Sequence, residues 1–191
     1  MSRIENYYNS FYRELSIIDE LANNFEKIEC FLPILHGSET FLDIGCGHGG
    51  VSSELIKKGY NVTGIEINDE VINKLQGKGF KTYLRDITKP LNINSKFDII
   101  LILDVLEHLF DPVNLLKEAK KIANFNGYII VTIPLYFDII DRLKILFTGN
   151  IISMDNLCYG KDNYLKFRSY NYDHIRFFRP KDIFEIGERL D

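Results

Sequence analysis

The sequence predicts an α/β fold built on a doubly wound, mostly parallel sheet with helices on both faces. Short apolar runs rich in β-branched residues predict strands that begin near residues 40, 61, 80, 97 and 127. Helical patterns lie between these runs, over residues 50–58, 69–77 and 112–123. Strands that alternate with helices form parallel sheets, because each helix returns the chain to the same end of the sheet.

Both ends of the chain extend this core with helices. Apolar residues at helical spacing over 10–32 predict an N-terminal helix stopped by Pro33, and a last helix is predicted over 180–190. A chain of 191 residues with 46% hydrophobic residues is long enough for one core. We therefore expect a single domain with four parts: an N-terminal helical segment 1–35, a cofactor-binding core 36–134, a substrate cap 135–179 and the last helix 180–191.

A glycine-rich turn follows the first strand. Glycines let the backbone approach a ligand closely, and Gly45, Gly47 and Gly50 have the G-x-G-x-x-G spacing of dinucleotide sites. Asp43 lies two residues before Gly45, where its carboxylate would repel the phosphates of a dinucleotide. S-adenosylmethionine is a cation at its sulfonium and ammonium groups, so it avoids this repulsion. The turn therefore favours a methyl donor over a dinucleotide.

Three more acids follow predicted strands. Glu66 ends the second strand, where a carboxylate accepts ribose hydroxyls in either cofactor class. Asp86 follows the third strand and is placed to accept the adenine amino group while Ile87 covers the ring; a solvated loop aspartate is the alternative. Asp104 follows the fourth strand, which lies beside the first if the sheet switches direction there. Four strands thus each end in a carboxylate at one edge of the sheet.

These motifs resemble those of the class I S-adenosylmethionine-dependent methyltransferases, a family with a Rossmann-like fold. The similarity covers roughly residues 35–190. It is carried by the segments Leu42–Gly47, Gly64–Ile67, Arg85–Ile87, Phe97–Pro112, Gly127–Pro134 and Asp173–Phe178. Within the family the chain is similar to the small-molecule and biosynthetic branch, which includes quinone O-methyltransferases. Relatives continue after the last helix into two more strands, so the C-terminal strands of the sheet are predicted to be truncated in this chain.

The resemblance implies that S-adenosylmethionine is the cofactor and S-adenosylhomocysteine the product. It implies a donor site at the strand ends, formed by Asp43, Gly45, Cys46, Gly47, Gly49, Glu66, Ile67, Asp86, Ile87 and Asp104. Asp104 is expected to face the methionine part of the donor. The reaction of the family is an in-line SN2 displacement at the sulfonium methyl, so catalysis depends on aligning the reactants and excluding water.

A hydroxyl or phenol acceptor needs a base, and a neutral histidine suits that role near pH 7. His108, five residues after the fourth strand, is the first candidate, and His174 in the cap is the second. A structural role for His108 in the turn before the helix at Pro112 is the alternative. Asp104, Glu107 and His108 also resemble the acid-x-x-Glu-His stretch of quinone O-methyltransferases, whose oxygen ligands suit Mg²⁺. The first acid here is Asp, and we predict no metal site.

Composition limits the partners and the compartment. With 23 Lys and Arg against 27 Asp and Glu, the net charge of −4 argues against a nucleic-acid-binding surface. Cys30, Cys46 and Cys158 show neither disulfide spacing nor a C-x-x-C zinc motif. The polar N-terminus and the absence of an apolar run of about 20 residues predict neither a signal peptide nor a membrane span. We expect a cytoplasmic protein whose partner is a small-molecule acceptor.

The predicted cap has two parts. Residues 135–152 are apolar with a thin polar stripe, which predicts a lid helix over an apolar pocket or a subunit interface in a homodimer. An interfacial helix that contacts a membrane is the alternative. Residues 155–181 combine basic and aromatic side chains, which favours a cap for an aromatic or anionic small substrate. Stacking on single-stranded nucleic acid and plain loop packing are the other interpretations.

Three functions follow from these observations. The first is methyl transfer to a small molecule, with oxygen as the favoured acceptor atom. The second is an NAD(P)-dependent oxidoreductase, supported by the glycine spacing and Glu66. The third is a catalytically inactive partner protein with a methyltransferase fold, because function depends on the site rather than on the fold.

Overall fold

A computed structural model describes residues 25–134, 139–148 and 175–190. The chain divides into two compact units. The first consists of residues 1–103 and 113–132 and contains the sheet. The second consists of residues 104–112 and 133–191 and contains the loop after the fourth strand and the C-terminal helices. The expectation of a single domain stays a prediction.

The first unit contains a five-stranded sheet in the order β3-β2-β1-β4-β5. Its strands are β1 (Thr40–Ile44), β2 (Asn61–Glu66), β3 (Lys81–Leu84), β4 (Phe97–Leu103) and β5 (Ala123–Thr132). All four strand pairings are parallel, and β4 lies beside β1 on the side opposite β2. The predicted α/β class is confirmed, and so is the switch in strand order that places β4 beside β1. Truncation of further strands stays a prediction.

Along the chain, the strands are preceded or separated by helices α1 (Phe25–Glu29), α2 (Gly50–Lys57), α3 (Asp69–Gly77) and α4 (Pro112–Ile122). A 3₁₀ turn spans Leu32–Ile34. The boundaries of α3 match the prediction, and those of α2 and α4 differ from it by one residue. The prediction of one helix to Pro33 is wrong at its end, because α1 stops at Glu29 and Pro33 lies in the 3₁₀ turn. The segment 10–24 lies outside the described residues.

The length of two strands differs from expectation. We predicted a third strand from Phe80 to Arg85 followed by Asp86, and β3 is shorter by one residue at each end, spanning Lys81–Leu84. Asp86 lies beyond the strand, as predicted. The fifth strand begins at Ala123, four residues before the predicted start, directly after α4. Its pairing with β4 shifts register between Phe97 and Ile99. Apolar patterning alone does not mark such ends, because they depend on pairing with the neighbouring strand.

The core lies where α1 and α2 pack on the sheet. Its buried members are Ile28, Phe31, Phe41, Val51, Leu55, Val62, Ile99 and Leu101. The Phe41 ring meets the Tyr60 ring edge to face, with centroids 5.1 Å apart. Strand β4 is buried from Ile99 to Ile102, which explains its almost continuous apolar sequence, since a central parallel strand packs on both faces. This packing fixes the carboxyl ends of β1, β2 and β4 at one edge of the sheet.

The second unit contains a 3₁₀ turn (Leu106–His108), α5 (Ile139–Thr148) and α6 (Pro180–Leu190). Helix α5 lies inside the predicted lid segment, and its described apolar side chains Ile139, Leu143, Leu146 and Phe147 are exposed. The lid role, the membrane contact and the homodimer stay predictions. Of the helices in the described part of the chain, none is both long enough and apolar enough to cross a membrane.

Candidate functional site

Left-handed backbone shapes the glycine turn after β1. Gly45, Gly47 and Gly49 have φ angles of 76°, 50° and 77°, a region that side chains disfavour. A Cβ atom on Gly49 would lie 2.8 Å from Leu75 Cδ2 and 3.3 Å from a Phe80 ring atom. Gly49 therefore combines a conformational requirement with a lack of space. The turn passes directly into α2, whose first residue is Gly50.

Glu66 connects this turn to the end of β2. Its carboxylate accepts hydrogen bonds from Gly47 N–H at 3.1 Å, Ile67 N–H at 2.7 Å and Asn68 N–H at 3.1 Å. The side chain of Asn68 accepts from Val71 N–H and caps α3. Burial raises the pKa of Glu66, and the three amide hydrogen bonds oppose this shift by stabilising the ionised form. Glu66, the residue that we predicted to bind the ribose, thus also clamps the backbone of the glycine turn.

Asp43 is buried under the turn, with 3% of its surface exposed. Its Oδ2 accepts a hydrogen bond from Ser52 Oγ of α2 at 2.6 Å, and Ser52 is buried as well. Burial raises the pKa of Asp43 to about 6, while the Ser52 hydrogen bond and the charge of Lys27 act in the opposite direction. Sequence analysis missed Ser52, because one serine in a helix gives no sign of its partner on a strand.

The charges of Asp43 and Glu66 both act on the thiol of Cys46. Burial raises the pKa of its thiol well above the usual value, and the carboxylates of Asp43 and Glu66 add to this shift. The thiol is therefore neutral, and it donates a weak hydrogen bond to the carbonyl of Gly47 at 3.8 Å. A Cβ atom on Gly64 of β2 would lie 2.7 Å from Cys46 Sγ, so the glycine in β2 provides the space that this side chain occupies.

Asp86 is held within its own turn. Oδ1 accepts from Thr88 N–H at 2.9 Å and from Thr88 Oγ1 at 2.6 Å, and Oδ2 lies 2.9 Å from Lys89 Nζ. Burial raises the pKa of Asp86, but the hydrogen bonds from Thr88 and Lys89 outweigh it and leave the pKa lowered. These contacts hold Asp86 in its loop, with 8% of its side chain exposed. The contact of Asp86 and Ile87 with adenine stays a prediction.

The second unit carries the other predicted site residues. Asp104 follows β4 with a φ angle of 54°, which is uncommon for a residue other than glycine. His108 ends the 3₁₀ turn with 20% of its side chain exposed, and its Nε2 lies 4.0 Å from Oε1 of the buried Glu107. His174 lies outside the described residues. Among the residues that are described, no three His, Cys, Asp or Glu side chains are close enough to hold a metal ion.

A contact that the sequence did not indicate joins residues far apart in the chain. Ile175 N–H and Arg176 N–H both donate to the carbonyl oxygen of Glu107, at 2.9 and 3.1 Å. The Arg176 side chain donates from Nε to the carbonyl of Leu109 at 2.8 Å and from an Nη atom to the carbonyl of Phe110. We call these four hydrogen bonds the Arg176 clamp. Its acceptors are backbone carbonyls, which any residue provides, so no sequence signal could identify them.

The sheet order, the left-handed glycine turn and the acid at the end of β2 define a Rossmann-like nucleotide-binding fold. The family model described as "Methyltransferase domain" matches residues 11–191. The chain therefore belongs to this family, and the predicted membership of a methyltransferase family is confirmed.

Individual relatives agree with this assignment. The chain is 22% identical over 158 residues to a ubiquinone biosynthesis O-methyltransferase from Shewanella pealeana, covering 78% of this chain and 61% of that protein. The chain thus spans less than two thirds of the length of that relative.

Two solved structures support the fold. An S-adenosylmethionine-dependent methyltransferase from Thermotoga maritima aligns with a TM-score of 0.64 at 19% identity, covering 97% of this chain and 77% of the other. One from Archaeoglobus fulgidus aligns with a TM-score of 0.60 at 20% identity, covering 86% and 66%. The predicted Rossmann-like fold is confirmed.

Proposed function

We propose that this chain transfers a methyl group from S-adenosylmethionine to a hydroxyl group of a small phenolic molecule. The clamp of Glu66 on the glycine turn carries the proposal, because it prepares a donor site before a ligand binds. Membership of the methyltransferase family supports the donor. The O-methyltransferase names of relatives at 22% to 28% identity support oxygen as the acceptor atom. The glycine spacing and Glu66 also suit a dinucleotide, but the buried carboxylate of Asp43 under the turn and the family membership favour the methyl donor.

In this proposal, Glu66 binds the ribose of the donor. An ionised carboxylate offers about four acceptor positions, and three backbone amides occupy three of them here. One position is left for a ribose hydroxyl in this arrangement. Gly45, Gly47 and Gly49 have no side chains between the backbone and the ligand, so the adenosine and methionine parts can contact the turn directly.

Asp43 acts through charge in this proposal. Buried beside Ser52, its carboxylate presents a negative potential under the turn, and a bound sulfonium cation stabilises its ionised form. Asp86 and Ile87 are proposed to contact the adenine, and Asp104 the methionine ammonium group.

His108 is the proposed base. Its imidazole, which is 20% exposed, takes the proton of the acceptor hydroxyl, and the carboxylate of Glu107 stabilises the imidazolium that forms. The acceptor oxygen then attacks the methyl carbon, the new O–CH₃ bond forms, and the bonding electrons of the S–CH₃ bond stay on sulfur. The sulfonium becomes a neutral thioether, so its charge is lost while the proton remains on His108. His174 is the second candidate for the base.

Ligand binding tests the donor site. We expect S-adenosylhomocysteine and S-adenosylmethionine, but not NAD⁺, to raise the melting temperature, since a ligand at a hundredfold excess over its Kd stabilises the folded state by about 2.7 kcal/mol. Glu66→Gln should lose most of this shift, whereas Glu54→Gln, which removes a surface ion pair with Lys57, should keep it. Stabilisation by NAD⁺ alone would contradict the proposed donor.

Turnover tests the acceptor and the base. Release of S-adenosylhomocysteine is measured with catechols that carry alkyl chains of increasing length. His108→Gln should lower kcat by a factor of about 100 or more, the usual contribution of a general base. The exposed His36 provides the matched control, and His36→Gln should leave kcat unchanged. Equal kcat values for the two variants would exclude His108 as the base.

A further inference from the structure

The Arg176 clamp holds the backbone on both sides of His108. On the N-terminal side, the carbonyl of Glu107 accepts from two successive amides, those of Ile175 and Arg176. On the C-terminal side, the Arg176 guanidinium binds the carbonyls of Leu109 and Phe110. Segments that are more than 60 residues apart in the sequence thus meet around one turn. His108 is the residue between the two sets of acceptors.

A 3₁₀ turn needs partners of this kind. Glu107 lies within the turn, whereas Leu109 is its C-cap with an extended backbone and Phe110 follows it. The carbonyls of these three residues take their donors from outside the turn. A guanidinium suits them, because it is always charged and presents several N–H groups in a rigid plane. Hydrogen bonds from a charged donor are also stronger than those between neutral groups. Arg176 therefore stabilises the turn more than a neutral side chain would.

The turn provides the remaining restraints on His108. His108 N–H donates to the carbonyl of Val105 at 3.1 Å, and Leu109 N–H donates to the carbonyl of Leu106 at 3.2 Å. Leu106 and Leu109 are buried, so the turn is anchored by packing as well. The His108 side chain is 20% exposed, and its backbone belongs to the turn. A change in the turn would therefore move the imidazole with the backbone that carries it.

We propose that Arg176 is the positioning residue for His108. It keeps the 3₁₀ turn closed, so that the imidazole stays at a constant distance from Glu107 and in one orientation toward the acceptor. The proposal rests on the proposed function for its catalytic meaning, since it assumes His108 as the base. The restraint on the turn itself is independent of that role. Arg176 touches neither reactant in this account and acts through the backbone of residues 107–110.

Hydrogen–deuterium exchange measures the restraint without any substrate. In Arg176→Gln the amides of His108 and Leu109 should exchange about tenfold faster or more, because the charge-assisted bonds that hold the turn are lost. Arg176→Lys keeps the charge but not the planar fork, so an intermediate rate is expected. Arg179→Gln is the matched control: Arg179 pairs with Asp182 on the surface, and its loss should leave these amides unchanged.

Kinetics then separate positioning from folding. We expect Arg176→Gln to lower kcat for an alkyl catechol about tenfold or more while the Kd for S-adenosylhomocysteine stays within about twofold, and Arg176→Lys to recover part of the loss. Arg179→Gln should match the unmodified protein in both values. If Arg176→Gln does not fold, the same two measurements on Arg176→Lys decide the question.

The outcomes distinguish this inference from the proposed function. Unchanged exchange at His108 and Leu109 in Arg176→Gln overturns the inference, even if His108→Gln abolishes turnover. An equal loss of donor affinity and kcat also overturns it, because it would show a general structural defect. Faster exchange combined with full turnover in His108→Gln would refute His108 as the base, and with it the positioning role. Faster exchange with a selective loss of kcat supports the inference.

Discussion

Gly49 offers a quantitative test of how the glycine turn is built. Alanine at this position would adopt a φ angle of 77°, which costs about 1–2 kcal/mol for a residue with a side chain. Its Cβ would also lie 2.8 Å from Leu75 Cδ2 and 3.3 Å from the Phe80 ring, and such overpacking costs about 1–3 kcal/mol. We expect Gly49→Ala to lower the free energy of unfolding by about 2–5 kcal/mol, the sum of these effects.

Two other glycines separate the conformational cost from the steric cost. Gly59 has a φ angle of 94°, but nothing lies within 4 Å of a Cβ atom there, so Gly59→Ala should lose only the conformational part, about 1–2 kcal/mol. Gly77 lies in α3 with ordinary helical φ and open space around it. Gly77→Ala should therefore be neutral or stabilise the protein by up to about 1 kcal/mol, from higher helix propensity.

Urea unfolding of the four proteins gives the comparison, with the slope of the transition monitored for each. The expected order of stability is Gly77→Ala, the unmodified protein, Gly59→Ala and Gly49→Ala. Titration with S-adenosylhomocysteine should show weaker binding in Gly49→Ala alone, since this glycine belongs to the turn. If Gly49→Ala is no less stable than Gly59→Ala, the contact with Leu75 and Phe80 yields without cost and the steric argument is wrong.

Three further predictions concern buried groups. The pKa of Asp43 is raised from 3.8 to about 6 in the folded protein. Protonated Asp43 therefore contributes stability that is fully present below pH 3.8 and is lost as the pH rises through 6. Urea unfolding of donor-free Asp43→Asn should therefore show a gain over the unmodified protein that grows between pH 4 and pH 7 to at most about 3 kcal/mol, and a pH-independent difference would contradict this. Gly64→Ala should weaken S-adenosylhomocysteine binding about tenfold in calorimetry, because its Cβ displaces Cys46 Sγ; adding Cys46→Ala should restore part of the affinity, and no recovery would refute the contact. Glu118→Ala removes the acceptor of Leu91 N–H, a bond of 3.0 Å, and should cost about 1–3 kcal/mol in urea unfolding, whereas Glu118→Gln should cost less; equal losses would exclude the hydrogen bond as the cause.

Local patterns were sufficient for the central elements of the fold. The apolar run of β4 and the helical pattern of α3 gave boundaries that agree with the structure. The signal for β4 is a continuous apolar run, and the signal for α3 is an apolar period of about 3.6 residues. Both signals lie within the residues of the element itself. The ends of β3, β5 and α1 differ from the predictions, because they depend on neighbouring strands and on packing.

The candidate site divides in the same way. The positions of Asp43 and Glu66 at strand ends followed from the sequence, since parallel strands bring their carboxyl ends to one edge. The partners of these acids did not follow. Ser52 reaches Asp43 from a helix, and the amides of Gly47, Ile67 and Asn68 meet Glu66 through the path of the backbone.

The sequence by itself determined the α/β class, the glycine turn, the acids at the strand ends and the membership of a methyltransferase family, because each of these is encoded in a short stretch of residues with its own period or motif. Only the tertiary structure decided which groups stabilise those acids and that Arg176 holds the turn around His108. The physical reason is that these bonds join distant segments and end on backbone atoms, which are the same in every residue and leave no trace in the sequence.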